Sequence, residues 1–205
     1  NDLKVYAQNS ADKLKGVYLP YWTYDSDTNS DYDGARGTHY YVTVSYSTMV
    51  NGKSVMRTRQ ERRTSWTSVS GNVSNNFDDL LVCASNSLPR EIVKELEPWD
   101  LPALINYDDK FLSGFVTECY QLNVEEGFSE AKSIMANVIR NTVTRDIGGD
   151  EQRIYNINTH YLDISFKHIL LPLWISAYRY HDKSFRFMIN ARTGEVNGER
   201  PYSAL

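Results

Sequence analysis

The chain has 205 residues, 41% hydrophobic and 23% charged, with a net charge of -4. That is enough apolar material for one large domain or two small subdomains with a packed core. The acidic balance argues against a dedicated nucleic-acid binder while leaving room for a local basic patch.

Residues 1–15 carry a weak helical pattern in Leu3, Tyr6, Ala7 and Leu14, ended by Gly16. "VYLPYWTY" (17–24) and "THYYVTVSYSTMV" (38–50) are aromatic and β-branched, so strands are expected there. "NGK" (51–53) marks a type I′ hairpin turn, and "SVMRTRQERRTSW" (54–66) is the return strand. Alternation puts Arg57, Arg59, Glu61 and Arg63 on one face of it, and Met56, Thr58, Gln60 and Arg62 on the other. A turn-rich stretch leads to a strand or short helix over 79–84. "SLPREIVKELEPW" (87–99) reads as a helix with Ser87 as N-cap, Pro89 in its first turn and Pro98 as its stop.

A strand is expected over 112–122. The clearest helix spans 123–149, where Phe128, Ala131, Ile134, Met135, Val138, Ile139 and Val143 recur at helical spacing before "GG". Strands follow at about 153–166, 168–180 and 184–191. The longest apolar run, "ILLPLWI" (169–175), is broken by Pro172 and falls short of the roughly 18 residues of a membrane span. "VYLPYWTY" and "ILLPLWISAYRY" echo each other, each with Leu-Pro, one residue and Trp, which suggests two β-hairpin modules. The expected fold is α+β: mainly antiparallel sheet with one long amphipathic helix and one or two shorter ones, forming a single domain over 1–205. Subdomains over 16–85 and 112–205 are an option. The expected core includes Trp22, Trp174, Leu171, Ile134, Val138 and Phe187.

"YDSDTNSDYDGARG" (24–37) puts four aspartates and an asparagine on nearly every second residue. An EF-hand loop needs oxygen ligands at positions 1, 3 and 5, glycine at 6 and Glu at 12. Starting at Asp25 puts Ser30 and Arg36 at positions 6 and 12; starting at Asn29 puts Tyr40 at 12. The stretch, the acidic loop 25–33, therefore reads as a long polar turn, with weak divalent-ion binding as the alternative. "GGDEQR" contains the Asp-Glu pair of nucleotide-hydrolysing motifs, but no G-x-x-x-x-G-K-[ST] loop accompanies it. His39, His160, His168 and His181 lie on expected strands or turns, without H-E-x-x-H spacing or a G-x-S-x-G elbow. Cys83 and Cys119 sit alone, which suits a reducing compartment better than a disulfide framework. No catalytic, metal or cofactor residues emerge. Arg57, Arg59, Arg62 and Arg63 are the candidate partner-binding residues, able to meet phosphates or an acidic partner.

"GVYLPYWTYDSDTNSDYDGARG", "FDDLLVCASNSLP", "LEPWDL", "LSGF", "RDIGGDEQRI", "FKHILLPLWISAYRY" and "NARTGEVNGERPYS" together resemble a family of bacterial membrane proteins often labelled primosomal protein N-prime or replication-helicase-like. The resemblance spans nearly the whole chain from Gly16 to Ser203. It implies an amino-terminal zinc ribbon before this domain and transmembrane helices after it, so that zinc belongs to a ribbon this chain lacks. The chain opens on Asn1 and ends where the family's membrane segment would begin, as an excised middle piece would. The resemblance also implies phage-shock-A-like or SPFH (flotillin-like) membrane proteins as partners and the cytoplasmic face of the bacterial inner membrane as location. It supplies no catalytic residues. The expectation is a non-enzymatic scaffold or interaction domain linked to membrane stress or organisation, the alternative a nucleic-acid-binding module of DNA replication.

Overall fold

A computed structural model describes residues 14–181 and 183–200. The helix expected over 1–15 lies, but for its last two residues, outside them. In chain order the elements are β1 (Lys15–Val50), β2 (Lys53–Cys83), α1 (Arg90–Lys94), β3 (Val116–Thr117), α2 (Val124–Ile147), β4 (Glu151–Tyr180), β5 (Lys183–Asn190) and β6 (Val196–Gly198). The sheet runs β2-β1-β4-β5-β6, with β3 beside β1. β4–β5 and β5–β6 pair antiparallel, and the short β3 pairs parallel through Val17 and Val116. The architecture is thus mainly antiparallel sheet with one long helix.

Three pairs of expected strands are each a single long one. The segments 17–24 and 38–50 both belong to β1, 54–66 and all but the last residue of 79–84 to β2, and 153–166 and 168–180 to β4. The polar stretches between them are strand because polar residues alternate with buried ones at the period of two that a pleat requires. The helix expected over 87–99 shrinks to five residues, starting after Pro89. The strand expected over 112–122 is broken at Gly114, whose φ of 83° leaves the extended region.

The chain divides into two compact units, each drawing on both halves of the sequence. Among the described residues, the first comprises 14–25, 79–132, 165–181 and 183–200. Its core sets Val17, Leu19 and Tyr21 of β1 with Leu171, Leu173 and Ile175 of β4 and Met188 of β5. Alternate residues point the same way, and Leu88, Val93, Leu96 and Trp99 cover them. The start of α2 is tied down by Trp22 Nε1, which donates to Leu122 O at 2.9 Å, and by Tyr24 Oη, which donates to Val124 O at 2.7 Å. Gly127 permits that approach, since a Cβ there would collide with the Tyr24 hydroxyl.

The second unit comprises Ser26–Asp78 and Ser133–Ile164. Along β1, Ser26, Thr28, Ser30, Tyr32 and Gly34 are buried while Asp27, Asn29, Asp31 and Asp33 are exposed. The buried members are mostly small because α2 lies over them. A Cβ on Gly34 would meet Ile147 Cδ1 at 3.2 Å and the Arg153 carbonyl closer still. Tyr32 donates to Asp146, Arg36 to Ile147 O, and Asn75 to Thr142 Oγ1 at 2.9 Å.

α2 buries one line of residues at four-residue spacing: Gly127, Ala131, Met135, Ile139, Val143 and Ile147. Of the expected core, Trp22 and Leu171 are buried, and Trp174 and Phe187 are half-buried. Ile134 and Val138 are exposed, which corrects their placement in the core. Both lie one position before a member of the buried line, about 100° around the helix.

Candidate partner-binding arm

The arm belongs to the second unit and begins where the sheet loses its third strand. Glu151, the first residue of β4, bonds His39 Nε2 at 2.7 Å and accepts from Thr64 Oγ1 at 3.1 Å. Past that level only β1 and β2 remain, so 40–50 and 53–63 form a two-stranded ribbon. At ~3.3 Å per residue it is about 36 Å long. Asn51 and Gly52 close it with φ of 51° and 74°, the positive angles of the type I′ turn that Asn-Gly favours. Among the described residues both edges and both faces are open, and nearly all the ribbon's residues are exposed.

Of the four candidate arginines, Arg57, Arg59 and Arg63 share one ribbon face and Arg62 lies on the other. Arg59 stacks over the Tyr46 ring, 5.7 Å from its centroid, and reaches Glu61 at 3.7 Å. Arg63 meets the same carboxylate at 3.8 Å. These contacts are solvent-exposed and long, and such pairs contribute roughly 0–1 kcal/mol. Arg62 lends its charge to Glu151, whose carboxyl is held below the usual range first by its hydrogen bond to His39, then by Thr64. The arginines are therefore brought onto one ribbon but not into one cluster.

Sequence reasoning missed the apolar partners of those arginines. Met49 and Met56 are each 68% exposed and Tyr41 66%, with Tyr40, Tyr46, Val50 and Val55 also on the surface. The available signal is the absence of any Asp or Glu from Gly34 to Gln60, a span holding Arg36, Lys53, Arg57 and Arg59.

The remaining candidates serve as ties. The acidic stretch is strand, not turn, and its side chains bond neighbouring strands: Asn76 donates to Asp27 at 2.6 Å and Asn72 to Asp31 at 2.7 Å. In the first unit, Asp25 accepts from Asp79 N at 2.8 Å and Ser165 Oγ at 2.7 Å, with Lys167 at 3.8 Å. Burial pushes its pKa up, but these partners outweigh it and hold the carboxyl below the usual range. The ammonium of Lys167 supplies the positive charge there. Asp150 accepts from His39 N at 2.7 Å, so the Asp-Glu pair fastens β4 to β1.

His168 packs against Trp22 and Tyr120, with ring centroids at 4.9 and 5.4 Å, and burial depresses its pKa. His160 faces Asn158 at 3.4 Å, and His181 lies against the Tyr180 ring. Both cysteines are free thiols, and burial pushes Cys83 up to about 11. A buried knot also went unforeseen: Glu118 accepts from Ser85, Ser87 and Gln121. Three neutral donors satisfy that carboxylate and join the end of β2 to the chain after β3.

The fold and the arm define a class: a β-rich domain carrying a basic two-stranded ribbon with an apolar end. In sequence the chain is similar to a Bacillus subtilis (strain 168) protein named "Uncharacterized protein YdjG", 24% identical over 199 residues, or 95% of this chain and 54% of that one. The chain thus spans about half the length of this curated relative. No protein-family model matches the sequence, and no solved structure does. Among the described residues no helix is long and apolar enough to cross a membrane.

Proposed function

We propose that this chain is a non-enzymatic interaction domain whose β1–β2 arm is its contact surface. The observation that carries this is the ribbon itself, 40–50 and 53–63, with large apolar side chains and arginines open on both faces. Monomeric surfaces avoid contiguous apolar patches, and open strand edges invite pairing, so a long ribbon with both features has use as a binding element. The resemblance to zinc-ribbon membrane proteins supports reading the domain as a scaffold at the cytoplasmic face of the bacterial inner membrane, beside phage-shock-A-like or SPFH proteins, in membrane stress or organisation. The test is a photo-crosslinking residue at Met56, compared in cells with one at Asn158, an exposed position on β4. A specific adduct is expected at 56 only, lost with Arg57→Glu/Arg59→Glu. Equal adducts at both positions, or none at 56, would sink the reading.

A nucleic-acid-binding module of replication is the second reading, supported by the four arginines on a ribbon of the kind that grooves admit. It makes a distinct demand. Three or four phosphate contacts give a log–log salt slope near -3 on duplex, and each arginine removed lowers it by about one. With a net charge of -4, binding no tighter than the roughly 10⁻⁴ to 10⁻⁶ M of nonspecific association is expected. Submicromolar binding at physiological salt, lost on changing Arg57 and Arg59 to Gln, would establish the second reading instead.

A further inference from the structure

We infer that the end of the arm inserts into an anionic lipid surface, with Met49, Val50, Val55 and Met56 entering the headgroup region and Lys53, Arg57 and Arg59 meeting lipid phosphates. This rests on the reading of the arm as the contact surface and names what it contacts.

Order along the ribbon is the first argument. The four apolar residues fall within four positions of the Asn51–Gly52 turn, an apolar end about 13 Å deep. Interfacial segments bury apolar faces roughly 5–10 Å into the headgroup and acyl boundary, a depth that this end exceeds by about one residue's rise. Arg57 and Tyr46 come next, then Arg59, where guanidinium and phenol groups would sit at headgroup level. Long cationic side chains at the margin of an apolar segment extend toward phosphates, and tyrosine favours the same zone.

Charge is the second argument, and it selects the occupant. The whole chain is net negative, yet Gly34 to Gln60 holds cations and no acid, and Glu61, just past that span, faces both Arg59 at 3.7 Å and Arg63 at 3.8 Å. The acidic residues of β1, Asp25 to Asp33, precede that span; Asp33 lies 18 residues before the turn begins at Asn51, roughly 60 Å along an extended strand. This exceeds the ~10 Å Debye length several times, so those acids scarcely oppose attraction at the end. A second copy of the arm would bring like charges together. A nucleic acid would meet the arginines but leave Met49 and Met56 in water.

The test is co-sedimentation of the chain with vesicles of phosphatidylcholine containing about one-third phosphatidylglycerol, against phosphatidylcholine alone. A juxtamembrane cation gains about fivefold in binding near such a surface, so three predict about a hundredfold preference for the anionic vesicles. Arg57→Gln/Arg59→Gln should weaken that binding about 25-fold, leaving the weak binding to phosphatidylcholine unchanged. Met49→Ser/Met56→Ser should weaken both. All variants should melt with the parent, because these side chains are exposed. An environment-sensitive fluorophore at Asn51→Cys, in a Cys119→Ser background, should shift to the blue on anionic vesicles, and one at Asn158→Cys should not. Equal binding to the two vesicles, no binding, or no blue shift at 51 overturns the inference. If vesicle binding fails while the position-56 crosslink persists on a protein, the lipid assignment falls and the arm reading stands. Loss of both removes the arm reading too.

Discussion

Replacing Ile139 by Ala tests which face of α2 carries the fold, and Ile134→Ala is its internal control. Ile139 is 1% exposed, in line with Met135 and Val143, whereas Ile134 is 45% exposed. Truncating Ile to Ala removes three carbons, worth about 0.8 kcal/mol each, or about 2.4 kcal/mol of transfer free energy. A closely packed site adds a cavity contribution, which puts Ile139→Ala at about 3–4 kcal/mol, within the 2–5 of such truncations. Ile134 is already half in water, so the transfer loss is about 1 kcal/mol. The better helix propensity of Ala offsets part of that, leaving about 0.5 kcal/mol. In a chain of this size each kcal/mol moves Tm by roughly 2–4 °C, so the two variants should differ by about 5–14 °C. Urea denaturation supplies the free energies directly, with unchanged slope as the sign that only stability moved. Equal costs, or a larger one at Ile134, would refute the helix orientation and the four-residue line drawn from it.

One thiol per native chain should react quickly with a disulfide reagent at pH 8, because Cys119 is exposed while burial holds Cys83 near 11. Two fast thiols, or a fast one surviving Cys119→Ser, would contradict this. His168 should titrate by NMR below the ordinary ~6.5 of histidine, its charged form being disfavoured by burial. Its sign follows: below ~6.5 the unfolded chain takes up this proton first, so stability falls with pH until the folded pKa is passed. The parent should therefore lose stability relative to His168→Gln between pH 8 and 5; a gap that is flat or reversed rejects the assignment. Millimolar Ca²⁺ should leave Tm unchanged, since Asp25, Asp27 and Asp31 of β1 are engaged by Asn72, Asn76, Ser165 and Lys167. A tight site would add about 2.7 kcal/mol at a hundredfold excess over its dissociation constant, and a shift abolished by Asp31→Ala would reveal one.

What was legible in the sequence was whatever carries its signal locally. Asn51-Gly52 fixes its turn through two positive φ angles, and α2 announces itself through a long run at helical spacing. The acidic stretch shows the opposite case. Its alternation is a strand's period, but with Ser26, Thr28 and Ser30 on the inner face there is no apolar contrast to reveal it. Those positions are small because a helix more than a hundred residues later in the chain lies on them, and nothing within 24–37 encodes that. The same distance hid the orientation of α2: Ile134 and Ile139 are equally apolar, and only Gly34, Gly127 and Tyr24 decide which one goes under. The arginines were visible as residues. Their setting on an open ribbon was not, because it depends on where β4 starts.

The neighbours of β1 also arrive at different times. β2 follows across a two-residue turn, but Ser30 meets Thr159 on β4 only after 129 further residues. At the ~5–20 residues per second of synthesis, that partner is missing for about 6–26 s. Throughout that interval β1 shows a free edge on which another nascent copy could pair. In-register pairing of two copies would stack Asp25, Asp27, Asp31 and Asp33 each against its own twin, and like charges directly opposite destabilise a ladder. The row of carboxylates that reads in sequence as a polar turn is therefore suited to guarding an unfinished sheet against its own siblings.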